Sequence, residues 1–312
     1  MSHVAFRERA LRFGPDDRLT GILTLPETGL PGAPHLVLVS AGIVHRVGPD
    51  RLYVDLARAV AAMGYPVLRF DLSGLGYSQP ATGTLPLDEL VLADIDAACT
   101  MLAKSYQANS FIMCGLCSGA NFSIAAALHD PRITGLILID PTVARTRKGS
   151  LIHLLRRLTH QKTLIDLLLL RHPILHRPID VGRSSEVVEA GSDLVGGRAL
   201  LEIPKELRRR FSISIRKLID QNTRLMMVFT GGVNHVYNYR NQISDLLPEI
   251  DFHGRLQVEY MPNTDHTVSD VPNRERLIRA VGDWLNRASA PPSTGHPLGS
   301  TAADPARREL LL

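Results

Sequence analysis

Apolar residues along this chain follow two alternating rhythms. Short, nearly unbroken runs read as buried strands: HLVLVS (35–40), YPVLRFD (65–71), SFIMCG (110–115), ITGLILID (133–140), RLMMVFTGG (224–232) and LQVEYMP (256–262). Between them lie longer segments whose apolar positions recur every three or four residues. In RLYVDLARAVAAM (51–63) the stripe is Leu52, Leu56, Val60 and Met63, and Gly64 ends it. LDELVLADIDAACTMLA (87–103) has the same amphipathic rhythm, and so does RERLIRAVGDWLNRA (274–288), through Leu277, Val281 and Trp284. The first 25 residues suggest two paired strands, VAFRERALRF and LTGILTL, turning at Gly14-Pro15-Asp16-Asp17. Strands alternating with helices predict an α/β fold, with a mostly parallel sheet covered by helices on both faces.

Two stretches break the alternation. Residues 143–223 show helical pattern and no clear strand, and they lie between two sheet strands. They read as an inserted helical cap on a core formed by 1–142 and 224–288. The last stretch, 289–312, is rich in Pro, Ser and Gly and reads as a disordered tail. Charge sharpens the division. Residues 143–224 hold 17 Lys/Arg against 8 Asp/Glu, leaving 18 against 23 elsewhere. A basic segment on an acidic body suggests either an anionic partner or a solvated helical face. Phe211 is the lone aromatic there, so a nucleic-acid surface, which needs interleaved stacking residues, is disfavoured.

Three cysteines make no disulfide framework and none has zinc spacing, so neither a metal nor another cofactor is expected. The N-terminus lacks an apolar leader core. The longest apolar run (164–170) is broken by Asp166 and is too short for a membrane span, so a cytoplasmic protein is expected.

The candidate chemistry sits where SFIMCG meets a small-residue helix, at Gly115-Leu116-Cys117-Ser118-Gly119. A sharp strand-to-helix turn raises its central side chain above the sheet, and flanking glycines let the helix pack close. A helix N-terminus beside Cys117 lowers the thiol pKa. Such an elbow needs a base and an orienting group later in the chain. His266 lies four residues past LQVEYMP, before the last helix, and is the expected base. Asn234, just after VFTGG, occupies the natural place of the third member. Asp140, ending LILID, is the alternative, with Asp245 behind it. The oxyanion donors should be the N–H of Ser118 and the backbone at Gly42 and Ile43. His45, Tyr77 and Tyr237, on loops expected to face the pocket, are candidate substrate contacts.

With these parts placed, the chain resembles the α/β-hydrolases over residues 18–288. The marks are Asp71-Leu72-Ser73-Gly74-Leu75-Gly76-Tyr77-Ser78, the elbow, and Asp265-His266-Thr267. HRVGPDRLYVDLARAVAAMGYPVLRFDLSGLGYS is similar to exosortase-associated and serine-aminopeptidase-like hydrolases. In those families the acid is usually an Asp where this chain has Asn234. A thiolate attacks thioesters and activated esters readily, so the expected activity is that of an acyl hydrolase, thioesterase or esterase, with a Cys117 acyl intermediate. Its substrate would be an acyl ester or thioester, with coenzyme A or an acyl carrier protein as the carrier that the basic cap would suit. The alternatives are an acyltransferase on the same machinery, and a catalytically idle binding module.

Overall fold

The computed structural model describes residues 6–159 and 205–289. Most of the expected cap and the expected disordered tail lie outside the described residues. Eight strands form one sheet: β1 (Phe6–Phe13), β2 (Leu19–Pro26), β3 (His35–Val39), β4 (Val67–Phe70), β5 (Phe111–Leu116), β6 (Ile133–Ile139), β7 (Arg224–Thr230) and β8 (Leu256–Met261), in the order β1-β2-β4-β3-β5-β6-β7-β8. β1 and β2 run antiparallel at one edge, and all pairings from β4 to β8 are parallel. The fully apolar runs become the central strands because helices cover both of their faces.

On one face lie α1 (Leu52–Ala62) and α7 (Val271–Ser289), whose Leu56, Val60, Leu277 and Trp284 meet Leu38, Ile112 and Val228 of the sheet. On the other lie α2 (Leu87–Tyr106), α3 (Ser118–His129) and α5 (Lys205–Asp220). The placement of α5 revises the cap boundary read from sequence. Phe211, Ile215, Leu218 and Ile219 are buried in the sheet-facing core, so 205–220 packs as a helix of the core layer. Part of its basic charge is paired at the surface: Arg209 and Arg210 share Glu206, and Arg208 meets Glu249. The two remaining helices are α4 (Arg147–Thr159) and the short α6 (Gln242–Leu246). α4 is tied down by Asn238, whose amide donates to the Gly149 carbonyl at 2.8 Å, and by Thr146, whose hydroxyl meets that of Tyr239 at 2.9 Å. Among the described residues no helix is long and apolar enough to cross a membrane.

Candidate active site

β5 ends at Leu116 and α3 starts at Ser118, leaving one residue for the reversal. That residue, Cys117, has φ 55° and ψ −118°, a conformation rare for any side chain but glycine and one that costs about 1–3 kcal/mol. The flanking residues explain how the turn closes. A Cβ on Gly115 would collide with the backbone of Gly119, and a Cβ on Gly119 would collide with the Val39 carbonyl of β3. Beneath the elbow, the buried Tyr53 hydroxyl donates to the Val39 carbonyl at 2.8 Å and accepts the Leu116 N–H at 3.1 Å. It bridges β3 and β5 where they diverge. Cys117 is exposed, whereas Cys99 and Cys114 are buried.

Strand register decides which carboxylate lies near. Leu116 of β5 pairs with Ile139 of β6, and the Cys117 N–H continues the ladder to the Ile139 carbonyl at 2.8 Å. Asp140 is therefore the next residue across from Cys117. Its own N–H bonds the Val228 carbonyl of β7 at 2.8 Å, and its φ is 47°. His266 comes in on the loop after β8. A Ser269 and Thr267 clamp on Asp265 shapes that loop, with the two backbone N–H groups and both hydroxyls donating to its carboxylate. Nδ1 of His266 lies 2.8 Å from Oδ2 of Asp140.

Asn234 lies elsewhere. Its Oδ1 accepts the Tyr260 hydroxyl at 3.2 Å, on the β8 side of the turn after β7. The expectation that Asn234 orients the imidazole thus gives way to Asp140. A carboxylate on the strand beside the elbow reaches His266, and the amide past β7 points to a different strand.

The electrostatics follow from this geometry. His266 is pushed up to about 10, first by its hydrogen bond to Asp140, then by that to Cys117, against the cost of desolvation. The Cys117 thiol is held below the ordinary cysteine value, chiefly by its hydrogen bond with His266. Further help comes from the His266 charge and the Ser118 N–H, against desolvation and the Asp140 charge. The two shifts together favour a thiolate facing an imidazolium. The buried thiols go the other way: burial raises Cys114 to about 12 and raises Cys99 further.

Of the expected oxyanion donors, Ser118 has its N–H turned to the Cys117 sulfur. The Gly42 N–H donates to the Ser118 hydroxyl at 2.8 Å, so the two expected donor residues are linked. Ile43 is 90% exposed on the same loop. Among the expected substrate contacts, Tyr237 is a core residue. It is fully buried, its ring stacks on Phe229 at 3.6 Å, and its hydroxyl donates to the Arg240 carbonyl. A flat ring beside an apolar strand end gains more from stacking than from facing solvent, which its loop position in the sequence does not convey. His45 is exposed, with Nδ1 3.4 Å from the Val47 N–H. Tyr77 is exposed, with the Arg46 guanidinium 4.8 Å from its ring centre. The Asp71 carboxylate accepts the N–H groups of Arg46 and Tyr77 and pairs with the Arg46 guanidinium, joining the loops after β3 and β4. The role of this Asp71 network in loop joining is structural and was missed from the sequence.

Two cavities, of about 460 and 490 Å³, lie away from Cys117. The first opens at the opposite end of the strands, near Ser110, Thr134 and Arg224, and the second lies between α2 and α3. Among the described residues there is no cluster of His, Cys, Asp and Glu able to hold a metal ion.

Residues 36–268 match the family described as serine aminopeptidase, S33, a hydrolase family. The chain belongs to that family. This S33-family hydrolase also shares its fold with solved structures. An esterase from Pyrococcus furiosus has a TM-score of 0.55 at 13% identity, covering 90% of this chain and 91% of that one. The esterase domain of a Rhodothermus marinus protein has a TM-score of 0.52 at 18% identity, covering 91% and 99%. Mouse alpha/beta hydrolase domain-containing protein 10 has a TM-score of 0.50 at 13% identity, covering 92% and 99%. Among curated proteins, no sequence matches. At the elbow of a family named for serine, this member carries Cys117.

Proposed function

We propose that this S33-family hydrolase cleaves acyl esters or thioesters through a Cys117 acyl-enzyme. The observation that carries the reading is the continuous line from the Cys117 thiol through His266 to the buried Asp140 carboxylate. The Cys117 thiolate attacks the substrate carbonyl carbon, and the carbonyl electron pair moves onto oxygen, near the Ser118 N–H; the Gly42 N–H, which the Ser118 hydroxyl holds in the free protein, would have to turn from that hydroxyl to serve as the second donor. On collapse the bond to the leaving group breaks, and the His266 imidazolium gives its proton to that group. The products are a Cys117 thioester and the free alcohol or thiol. Neutral His266 then takes a proton from water, which attacks the thioester. The acid leaves, and thiolate and imidazolium are restored. In the first half His266 acts as an acid, and in the second as a base. Thioesters and activated esters suit this nucleophile because their leaving groups depart with little help, whereas an alkoxide or an amide nitrogen must be protonated as it leaves.

Acyl transfer is favoured by one observation. The helical segment after β6 could shelter an acyl-enzyme from water, and only the Asp140 contribution to the raised His266 pKa, not that of the Cys117 thiolate, would persist once the sulfur is acylated. A thiol or amine acceptor would then compete with water. An idle binding module is the weaker reading, because His266 has a carboxylate partner in Asp140 even though Asn234 follows β7. For coenzyme A or an acyl carrier protein as the acyl donor, three arginines of α5 offer little, because Glu206 and Glu249 pair with them.

Intact-protein mass after brief mixing with acyl pantetheine thioesters and activated esters tests the reading. The expected result is a mass gain equal to one acyl group, absent in Cys117→Ala. Turnover retained in both Cys117→Ala and His266→Ala would overturn it. Rapid loss of the adduct in water marks a hydrolase, and a lasting adduct cleared by an added thiol or amine marks a transferase.

A further inference from the structure

Thr230 is the last residue of β7 and is fully buried. Its N–H donates to Asp140 Oδ1 at 2.7 Å, and its hydroxyl donates to Oδ2 at 2.6 Å. The direction of the second bond is fixed by a third. The Gly232 N–H donates to the same hydroxyl oxygen at 3.1 Å, which leaves the single hydroxyl proton for Asp140. Oδ2 is also the oxygen that faces His266 Nδ1. The two glycines that follow seat the histidine. A Cβ on Gly232 would come within 2.6 Å of the His266 nitrogen and 2.7 Å of its Cβ, and one on Gly231 would collide with the Pro262 carbonyl. The turn after β7 thus touches both members of the acid–base pair.

We propose that Thr230-Gly231-Gly232 is the positioning element of this site. Thr230 pins both carboxylate oxygens of Asp140, and the glycines let the His266 loop lie against the same turn. The inference rests on the reading of Cys117 and His266 as the reacting pair. A carboxylate turns easily about its last bond, since that torsion has no sharp staggered minima. Asp140 also sits at φ 47°, a backbone state kept only where the surroundings hold it. With the Thr230 hydroxyl gone, Oδ2 would have His266 as its one remaining partner among the described residues. The carboxylate could then turn away, the imidazolium would lose its fixed acceptor, and the thiolate would lose its partner in turn.

Alkylation of Cys117 by iodoacetamide, followed across pH, reads this coupling without any substrate. Wild type should alkylate well below the pH at which a free cysteine does, about 8.5. Thr230→Val keeps the shape and the N–H but loses the hydroxyl. Its profile should move up by about one pH unit, roughly a tenfold loss of thiolate below the transition. Thr230→Ser restores the hydroxyl and should alkylate within about twofold of wild type. Thermal melting identifies variants that fail to fold; if Thr230→Val does so, Thr230→Ala against Thr230→Ser gives the same comparison. A wild-type profile in Thr230→Val, or a Ser variant as impaired as the Val or Ala variant, overturns the proposal. A wild-type protein that alkylates like free cysteine instead sinks the reacting pair itself, so the two failures are told apart.

Discussion

The Gly42 N–H donates to the Ser118 hydroxyl at 2.8 Å, across 76 residues of sequence. Gly42 lies at φ 51° on an exposed loop, with open space where a Cβ would sit. This bond therefore ties one expected oxyanion donor to the residue that supplies the other. Ser118→Ala should loosen the loop and slow turnover about tenfold, less than the roughly 10²–10³ expected for outright loss of a donor. Iodoacetamide alkylation of Cys117 develops no oxyanion and should keep its wild-type rate. Unchanged turnover in Ser118→Ala would show that the loop is held by other means.

Asp140 and Asn234 should separate cleanly by mutation. Asp140→Asn leaves an amide beside His266 and should lower turnover by about 10²–10⁴, as loss of the orienting carboxylate does in other triads. Asn234→Ala removes an acceptor for Tyr260, 26 residues away, and should change turnover by less than about threefold. Steady-state kinetics on any ester found to be turned over would decide between them; a larger effect at Asn234 would reject the Asp140 assignment.

The pH response follows from two opposite shifts. Cys117 is depressed, so the thiolate is lost only as pH falls through that lowered value. His266 is raised, so its proton is lost as pH rises toward about 10. Acylation should therefore be flat between the lowered thiol value and about 10, and decline near pH 10. An unshifted histidine acting as base would instead give a rise through about 6.5. Release of the acyl group needs neutral His266 and should speed up with pH, with a midpoint below that of the free protein because the acylated sulfur no longer raises the histidine. For folding, the raised His266 contributes stability that is complete below about 6.5 and fades as pH climbs toward about 10. Single-turnover rates of the two steps against pH would test the assignment; acylation that rises through 6.5 would contradict it.

Native alkylation should stop at one equivalent. Burial raises the Cys99 and Cys114 thiols and hides them, while Cys117 is exposed and depressed. Peptide mapping should find the label on Cys117. Label on Cys114 in folded protein would mean that the strand beneath the elbow opens readily.

Tyr53 offers a test of the scaffold. Tyr53→Phe strands the Leu116 N–H and removes the donor to the Val39 carbonyl, both deep in the sheet. The expected cost is about 1–3 kcal/mol in urea unfolding. A loss below a few tenths would show that the strand ends satisfy each other without it.

The sequence by itself determined the layered α/β arrangement, because its apolar runs and stripes report which face each segment buries. It also singled out Cys117, whose Gly115 and Gly119 neighbours answer a local steric demand, and His266, which follows the last strand by a fixed offset. What it left open depended on lateral distance. Asn234 and Asp140 are both polar residues at strand ends, and nothing local tells them apart. The β5–β6 register, which puts Asp140 next to Cys117, and the seating of the His266 loop on Gly232 chose between them. Tyr237 and the 205–220 helix misled for the same reason. A loop tyrosine and a basic helix look exposed along the chain, yet Phe229 stacks on one and the core takes the apolar stripe of the other. Periodicity records how a segment divides its own faces. Which distant segment covers each face, and which side chains meet at the strand ends, is decided when the sheet closes in three dimensions.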